Sequence, residues 1–253
     1  MKKLIFLFAF IFSMTQIWSS DMKSSGRSSE TDVSKNFSIP LIGEKAPSFT
    51  AESTTGMVNF PADYNYRWKI IFSHPQDFTP VCTSEILELA NLQKEFDKLG
   101  VKLIVLSTDK LSTHTQWKKA MEEIEYKGRT PVSIKFPLVD DSNLAISRKY
   151  GMIHEKSNTT RGVRGVFVVD PNDIVRAIYY YPVEVGRSTD ELLRTLVALQ
   201  TVDKNKVMTP ADWRSGNDVI IPYNPITDSK NKNMDPAKYY QTSWFTWYKK
   251  ANK

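Results

Sequence analysis

The sequence of 253 residues contains a single cysteine, Cys82, so no disulfide can form within the chain. That leaves three roles open for the thiol: an inert buried hydrophobe, a crosslink to another molecule, or a reactive centre. No C-x-x-C pair is present, which sets aside a two-cysteine thiol–disulfide exchange centre. Metal-ligand spacing is missing as well: His114 and His154 have no partners at ligand distances in sequence and carry no functional weight, and nothing asks for a metal or a cofactor. The 10 glycines build no phosphate-cradling loop, and there is no internal repeat. One-sided charge is also lacking. The formal charge is +6 and drops to +4 without the first 20 residues, an excess too diffuse to imply nucleic acid. The strongest apolar run falls well short of the ~20 residues that span a bilayer, so no stable membrane anchor is expected.

What the N-terminus does have is Lys2 and Lys3, an apolar run from Leu4 to Phe12, and small polar residues at Ser19 and Ser20. This is the build of a secretory signal peptide over residues 1–20, predicting an exported protein, periplasmic or secreted. A lipid anchor is disfavoured because Cys82 lies far downstream. Residues 21–38, rich in serine and charge, read as a spacer. A folded domain is expected over 39–206 and a smaller extension over 207–253, where Pro, Asn and Lys mix with Trp213, Tyr239, Tyr240, Trp244, Phe245, Trp247 and Tyr248. Such aromatics are expected to pack on a neighbouring domain or subunit.

Four apolar runs predict strands at Lys69–Phe72, Val101–Ser107, Gly165–Val169 and Ile174–Tyr180. The first three are nearly continuous, as in strands covered on both faces. Between them lie helical stripes. Leu89, Leu92, Phe96 and Leu99 share a face that ends at Gly100, and a second helix through Trp117, Ala120, Met121 and Ile124 is expected to open at Thr113. A third carries Ser188 and Glu191 as a capping box before Leu192, Leu193, Leu196 and Leu199. Alternating strands and helices predict a layered α/β domain.

The segment from Ser73 to Glu85 leaves a strand and enters a helix, with Thr79 at the N-cap position and Pro80 at the first helical position. Cys82 then falls in the opening turn, where unpaired N–H groups and the helix dipole favour an anion, so the thiol pKa is expected to fall. At Pro75, Thr79 and Cys82 the chain resembles the peroxiredoxin motif P-x-x-x-T-x-x-C, and the surrounding His74 to Glu85 is similar to the one-cysteine subfamily. The likeness extends from about Pro40 to Pro222, through Ala46 to Phe49, Thr130 to Pro137, Gly186 to Ser188 and Thr209 to Trp213.

That resemblance implies a thioredoxin-like fold with a central mixed sheet flanked by helices, a homodimer, and a thiol peroxidase acting on hydrogen peroxide and small organic hydroperoxides. Cys82 maps to the attacking cysteine, Thr79 to the hydroxyl that orients it, and Pro75 to its shield from water. The family's arginine falls on Arg164, with Arg161 the competing position three residues earlier. Glu85 and Arg187 match supporting positions, with an ordinary surface pair the alternative. His74 matches a pocket position, with a structural histidine the alternative. Lacking a second cysteine, the chain needs an external thiol or other reductant, and unreduced sulfenic acid is exposed to further oxidation. A competing class is a non-catalytic oligomeric chaperone, separated by dependence on Cys82. The phospholipase activity associated with some subfamily members is not carried over: Arg67, Pro61 and Asn172 stand at the positions of its serine, histidine and aspartate.

Overall fold

Three strands built on the apolar runs Ile70 to Phe72, Leu103 to Leu106 and Val166 to Val169 form the middle of the sheet. They are β3 (Trp68–Ser73), β4 (Val101–Ser107) and β6 (Arg164–Val169). In the computed structural model, which describes residues 39–158, 160–222 and 234–251, β3 runs parallel to β4 and antiparallel to β6. The expected signal over 1–20 and spacer over 21–38 lie outside the described residues.

Around this middle stand β1 (Phe49–Ser53), β2 (Gly56–Phe60), β5 (Leu138–Asp140) and β7 (Val175–Tyr181). The order is β2-β1-β5-β4-β3-β6-β7, a mixed seven-stranded sheet. Alternation along the strands sorts side chains to two cores. Ile70, Phe72, Val105, Val166 and Val168 face one cluster with Cys82, Ile86, Leu89 and Phe96; Ile71, Ile104, Leu106 and Phe167 face another with Phe49, Phe60 and Tyr150.

Four α-helices occur among the described residues: α1 (Pro80–Lys98), α2 (Leu111–Met121), α3 (Ala145–Lys149) and α4 (Thr189–Asn205). The α1 stripe ends as its sequence indicates, with Gly100 taking up φ +70 and its N–H donating to Asp97 O at 3.0 Å. Helix α2 differs from expectation, beginning two residues before Thr113 and ending before Ile124, which is exposed. The cause is tertiary: the Asp140 carboxylate on β5 accepts from Leu111 N at 2.8 Å, an anchor that no local pattern reveals. At α4, Ser188 Oγ accepts from Glu191 N at 3.2 Å, but the Glu191 carboxylate binds Arg194 and Thr195, so only half of the capping box forms. Strand β7 starts at Val175 because Ile174 belongs to the preceding turn, where it bridges Lys45.

The extension holds a second sheet, β8 (Val219–Ile220), β9 (Tyr239–Ser243) and β10 (Thr246–Lys249), in the order β8-β10-β9. Tyr240 and Tyr248 stack on each other across it at 5.0 Å, whereas Trp244 and Phe245 at the β9–β10 turn are exposed.

Leu89→Ala in α1 empties a fully buried position facing β3 and β4. Urea unfolding is expected to show a loss of about 2–5 kcal/mol. A loss under about 1 kcal/mol would contradict the packing of α1 into this core.

Candidate active site

Strand β3 delivers the chain to a sharp turn, Ser73 to Thr79, from which α1 departs. Thr79 occupies the N-cap position with extended backbone and Pro80 begins the helix. The hydroxyl of Thr79 does not cap the first turn. It donates instead to Gln76 O at 2.9 Å, folding the turn back on itself, so the N–H groups at the helix start keep no side-chain acceptor from the cap. Cys82 lies in that opening turn, 1% exposed, with Pro75 buried nearby in sequence.

The sulfur has a cationic partner. Arg164, at the start of β6, donates from Nη1 to Cys82 Sγ at 3.3 Å and to Glu85 Oε2 at 2.7 Å. Its other nitrogens donate to Val183 O, Nε at 3.0 Å and Nη2 at 2.5 Å, which fixes the plane of the guanidinium. Arg161 sits elsewhere: it is exposed and donates from Nη1 to Gln76 Oε1. Register explains the difference. Arg164 is the first β6 residue, paired with Tyr181 of β7, while Arg161 is still in the preceding loop.

Glu85 and Arg187 form a buried pair, not a surface one. One turn of α1 beyond Cys82, the Glu85 carboxylate accepts from Arg187 N (2.7 Å), Nε (2.8 Å) and Nη2 (2.7 Å). Arg187 Nη1 donates to Ser73 O at 2.8 Å and to Gly165 O at 2.9 Å, tying β3 to β6, and its guanidinium lies 3.4 Å from the Phe72 ring centroid. Burial pulls Arg187 below the usual arginine range, while Glu85 works in the opposite direction.

His74 is completely buried, its ring 4.9 Å from Trp117 and 6.2 Å from His114. Neither ring nitrogen has a hydrogen-bond partner among the described residues. Burial, followed by the charges of His114, Arg187 and Arg164, pushes it well below the ordinary histidine range, so the ring is neutral. Two residues to which the sequence assigns no role belong to this neighbourhood. Asp77 is buried, and its Oδ2 lies 2.7 Å from Nδ1 of the equally buried His114. The available signal is a histidine on the apolar face of α2, three residues before the buried Trp117, together with an acid inside the cysteine segment. His154 lies apart, at 3.1 Å from Gly151 O.

A cysteine in a helix's first turn, fixed beside a guanidinium that a buried carboxylate orients, is suited to holding a thiolate and stabilising charge that develops on a small electrophile. Comparison with known proteins agrees. Residues 42–178 match the AhpC/TSA family, and residues 198–235 match the C-terminal domain of 1-Cys peroxiredoxin. A peroxiredoxin of Methanosarcina mazei is 50% identical over 185 residues, covering 73% of this chain and 84% of the relative. One from Thermotoga maritima is 42% identical over 217 residues, covering 84% and 98%. Among solved structures, a yeast mitochondrial 1-Cys peroxiredoxin superposes with a TM-score of 0.74 at 35% identity, covering 84% of this chain and all of the other. A cysteine-to-serine mutant of peroxiredoxin 6 from Arenicola marina gives 0.75 at 29% identity, covering 84% and 99%. The sheet and its helices are therefore the peroxiredoxin form of the thioredoxin-like fold, and the chain belongs to the AhpC/TSA family as a one-cysteine peroxiredoxin, a thiol peroxidase.

Proposed function

We propose that Cys82 performs the peroxidase chemistry with Arg164 as its cationic partner and Thr79 at the head of its helix, and the observation that carries this is the 3.3 Å contact between Arg164 Nη1 and Cys82 Sγ. The thiolate attacks the terminal oxygen of a hydroperoxide, the S–O bond forms as the O–O bond breaks, and the alkoxide or hydroxide takes up a proton and leaves as alcohol or water. Sulfur loses two electrons and becomes a sulfenic acid. Arg164 faces the charge that develops on the oxygens, Glu85 and Arg187 hold Arg164, Pro75 keeps water off the sulfur, and His74 lines the pocket as a neutral ring.

With no second cysteine in the chain, an external thiol attacks the sulfenic sulfur, water departs, and a further thiol releases the mixed disulfide. In the yeast mitochondrial 1-Cys peroxiredoxin the thiol is resolved via glutathione/thioredoxin systems, which favours a reductant of the thiol class here. We also propose a homodimer: β7 is an outer strand of the main sheet, and Trp244 and Phe245 leave apolar surface uncovered. Export is proposed from Lys2, Lys3 and the Leu4 to Phe12 run.

Single-turnover mixing with hydrogen peroxide, followed by mass spectrometry, is expected to consume about one peroxide per chain and leave sulfenic acid on Cys82, with no reaction in Cys82→Ser. Arg164→Lys, whose point charge cannot also hold Val183 O and Glu85, should slow the step by about 10²-fold. A wild-type rate no faster than a free thiol would end the enzymatic reading. Sedimentation is expected to give a dimer, and a monomer throughout the micromolar range would remove that assignment. For export, expression of the full chain in a bacterial host should yield periplasmic protein whose N-terminus follows Ser19 or Ser20; retention with Met1 in place would argue against it.

A further inference from the structure

Behind the turn that carries Thr79 lies a buried group of ionisable side chains that the peroxidase step does not consume: His74, Asp77 and His114. The proton positions follow from the partners. A carbonyl oxygen only accepts, so His114 Nε2 donates to Val139 O of β5, at 3.1 Å. The 2.7 Å contact between His114 Nδ1 and Asp77 Oδ2 then requires one proton between the two atoms, since an aspartate oxygen and a bare ring nitrogen would oppose lone pairs. Burial pushes the Asp77 carboxyl above the ordinary range, and the His114 hydrogen bond opposes that push.

The rest of Asp77 is tied just as firmly. Its backbone N–H donates to Asp109 Oδ2 at 2.7 Å, and Asp109 is itself held by Ser107 at the end of β4. Its second oxygen, Oδ1, accepts no hydrogen bond among the described residues and faces His74 Nε2 at 3.6 Å. One residue thereby links the turn, through its side chain, to α2 and by way of His114 to β5, and through its backbone N–H to the β4–α2 connection.

The turn needs such a fastening. Phe78, between Asp77 and Thr79, is 56% exposed and adopts the left-handed conformation at φ +54, which a residue with a Cβ disfavours. An exposed aromatic gains little packing from that conformation, so the restraint comes from its neighbours: Asp77 on one side and Thr79, bonded to Gln76 O, on the other.

We infer that Asp77 and His114 are positioning residues for the peroxidase step, holding through one shared proton the strained Gln76–Thr79 turn that sets Thr79 at the head of the helix whose first turn carries Cys82. Neither residue is a catalytic group, and their effect passes through the turn. The inference rests on the reading of Cys82 as the thiol that reacts with peroxide. It assigns the rate a dependence on a hydrogen bond in which the sulfur takes no part.

The test compares wild type, Asp77→Ala, His114→Phe and Asp77→Asn in two reactions of Cys82: single-turnover oxidation by hydrogen peroxide and alkylation by iodoacetamide. Thr79 placement matters to the first and little to the second. Asp77→Ala and His114→Phe are expected to lower the peroxide rate constant about tenfold or more while alkylation stays within about threefold. In Asp77→Asn the amide N–H can donate to His114 Nδ1 while Nε2 still donates to Val139 O, so the peroxide rate should recover to within about threefold of wild type. Full peroxide reactivity in Asp77→Ala, or an equal fall in both reactions, would overturn the positioning role. An Asp77→Asn rate no better than that of Asp77→Ala would overturn the shared hydrogen bond. Should the truncations fail to fold, ¹⁵N-labelled wild-type protein decides: a downfield proton coupled to His114 Nδ1 is expected, and its absence overturns the proposal. If wild type itself consumes no peroxide, the reading of Cys82 falls; if it reacts and Asp77→Ala matches it, only this inference falls.

Discussion

The Glu85 carboxylate, buried between two guanidinium groups, is the constraint on which the site's construction turns. A single carboxylate set against Arg164 and Arg187 leaves one positive charge in excess inside the protein, and uncompensated charge in that environment is costly. The Cys82 sulfur faces that excess directly, 3.3 Å from Arg164 Nη1. The same carboxylate decides where everything else sits. It takes three donors from Arg187, leaving that side chain's Nη1 to join the carbonyls of Ser73 and Gly165, and so it fastens α1 to the ends of β3 and β6. Arg164 is then caught between Glu85 and Val183 O with one nitrogen aimed at sulfur.

How much of this is legible in the sequence depends on whether the cause is local. The middle strands are legible because β3, β4 and β6 are buried on both faces and carry unbroken apolar runs, and α1 is legible because its stripe is bounded by Pro80 and Gly100. The β1–β2 hairpin is not. In Phe49–Ser53 and Gly56–Phe60 apolar residues share space with Thr, Glu, Ser and Asn, and their pairing with each other supplies most of the order. Strand β5 has three residues and exists because β4 offers it a parallel edge. The start of α2 departs from the expected Thr113 because its anchor, Asp140, lies 29 residues away.

The candidate site divides along the same line. Cys82, Thr79 and Pro75 are carried by one continuous motif, and their neighbourhood follows from a strand leading into a helix. Choosing between Arg164 and Arg161 needs the register of β6 against β7, which a spacing of three residues does not contain. The buried state of Glu85 and Arg187, open in the sequence against a surface pair, is settled by packing between segments 102 residues apart. His114 has no ligand spacing to attract notice, yet its partner is an aspartate 37 residues earlier, and such a pair leaves no periodic trace. Thr79 shows the reverse case: its position is legible, but the direction of its hydroxyl is not, because Gln76 O competes with the helix for it.

The spacing of the residues around sulfur also governs when the thiol becomes dangerous to itself. Arg164 lies 82 residues beyond Cys82, and the Arg187 that secures Glu85 lies 102 residues beyond that carboxylate, so neither contact exists in a growing or unfolded chain. Until β6 docks and the segment before α4 closes, Cys82 has the reactivity of any cysteine in a flexible peptide. The surroundings proposed to activate the thiol are thus a property of the completed fold. The partners of the one sulfur are assembled from three distant parts of the chain and come together only in the folded domain.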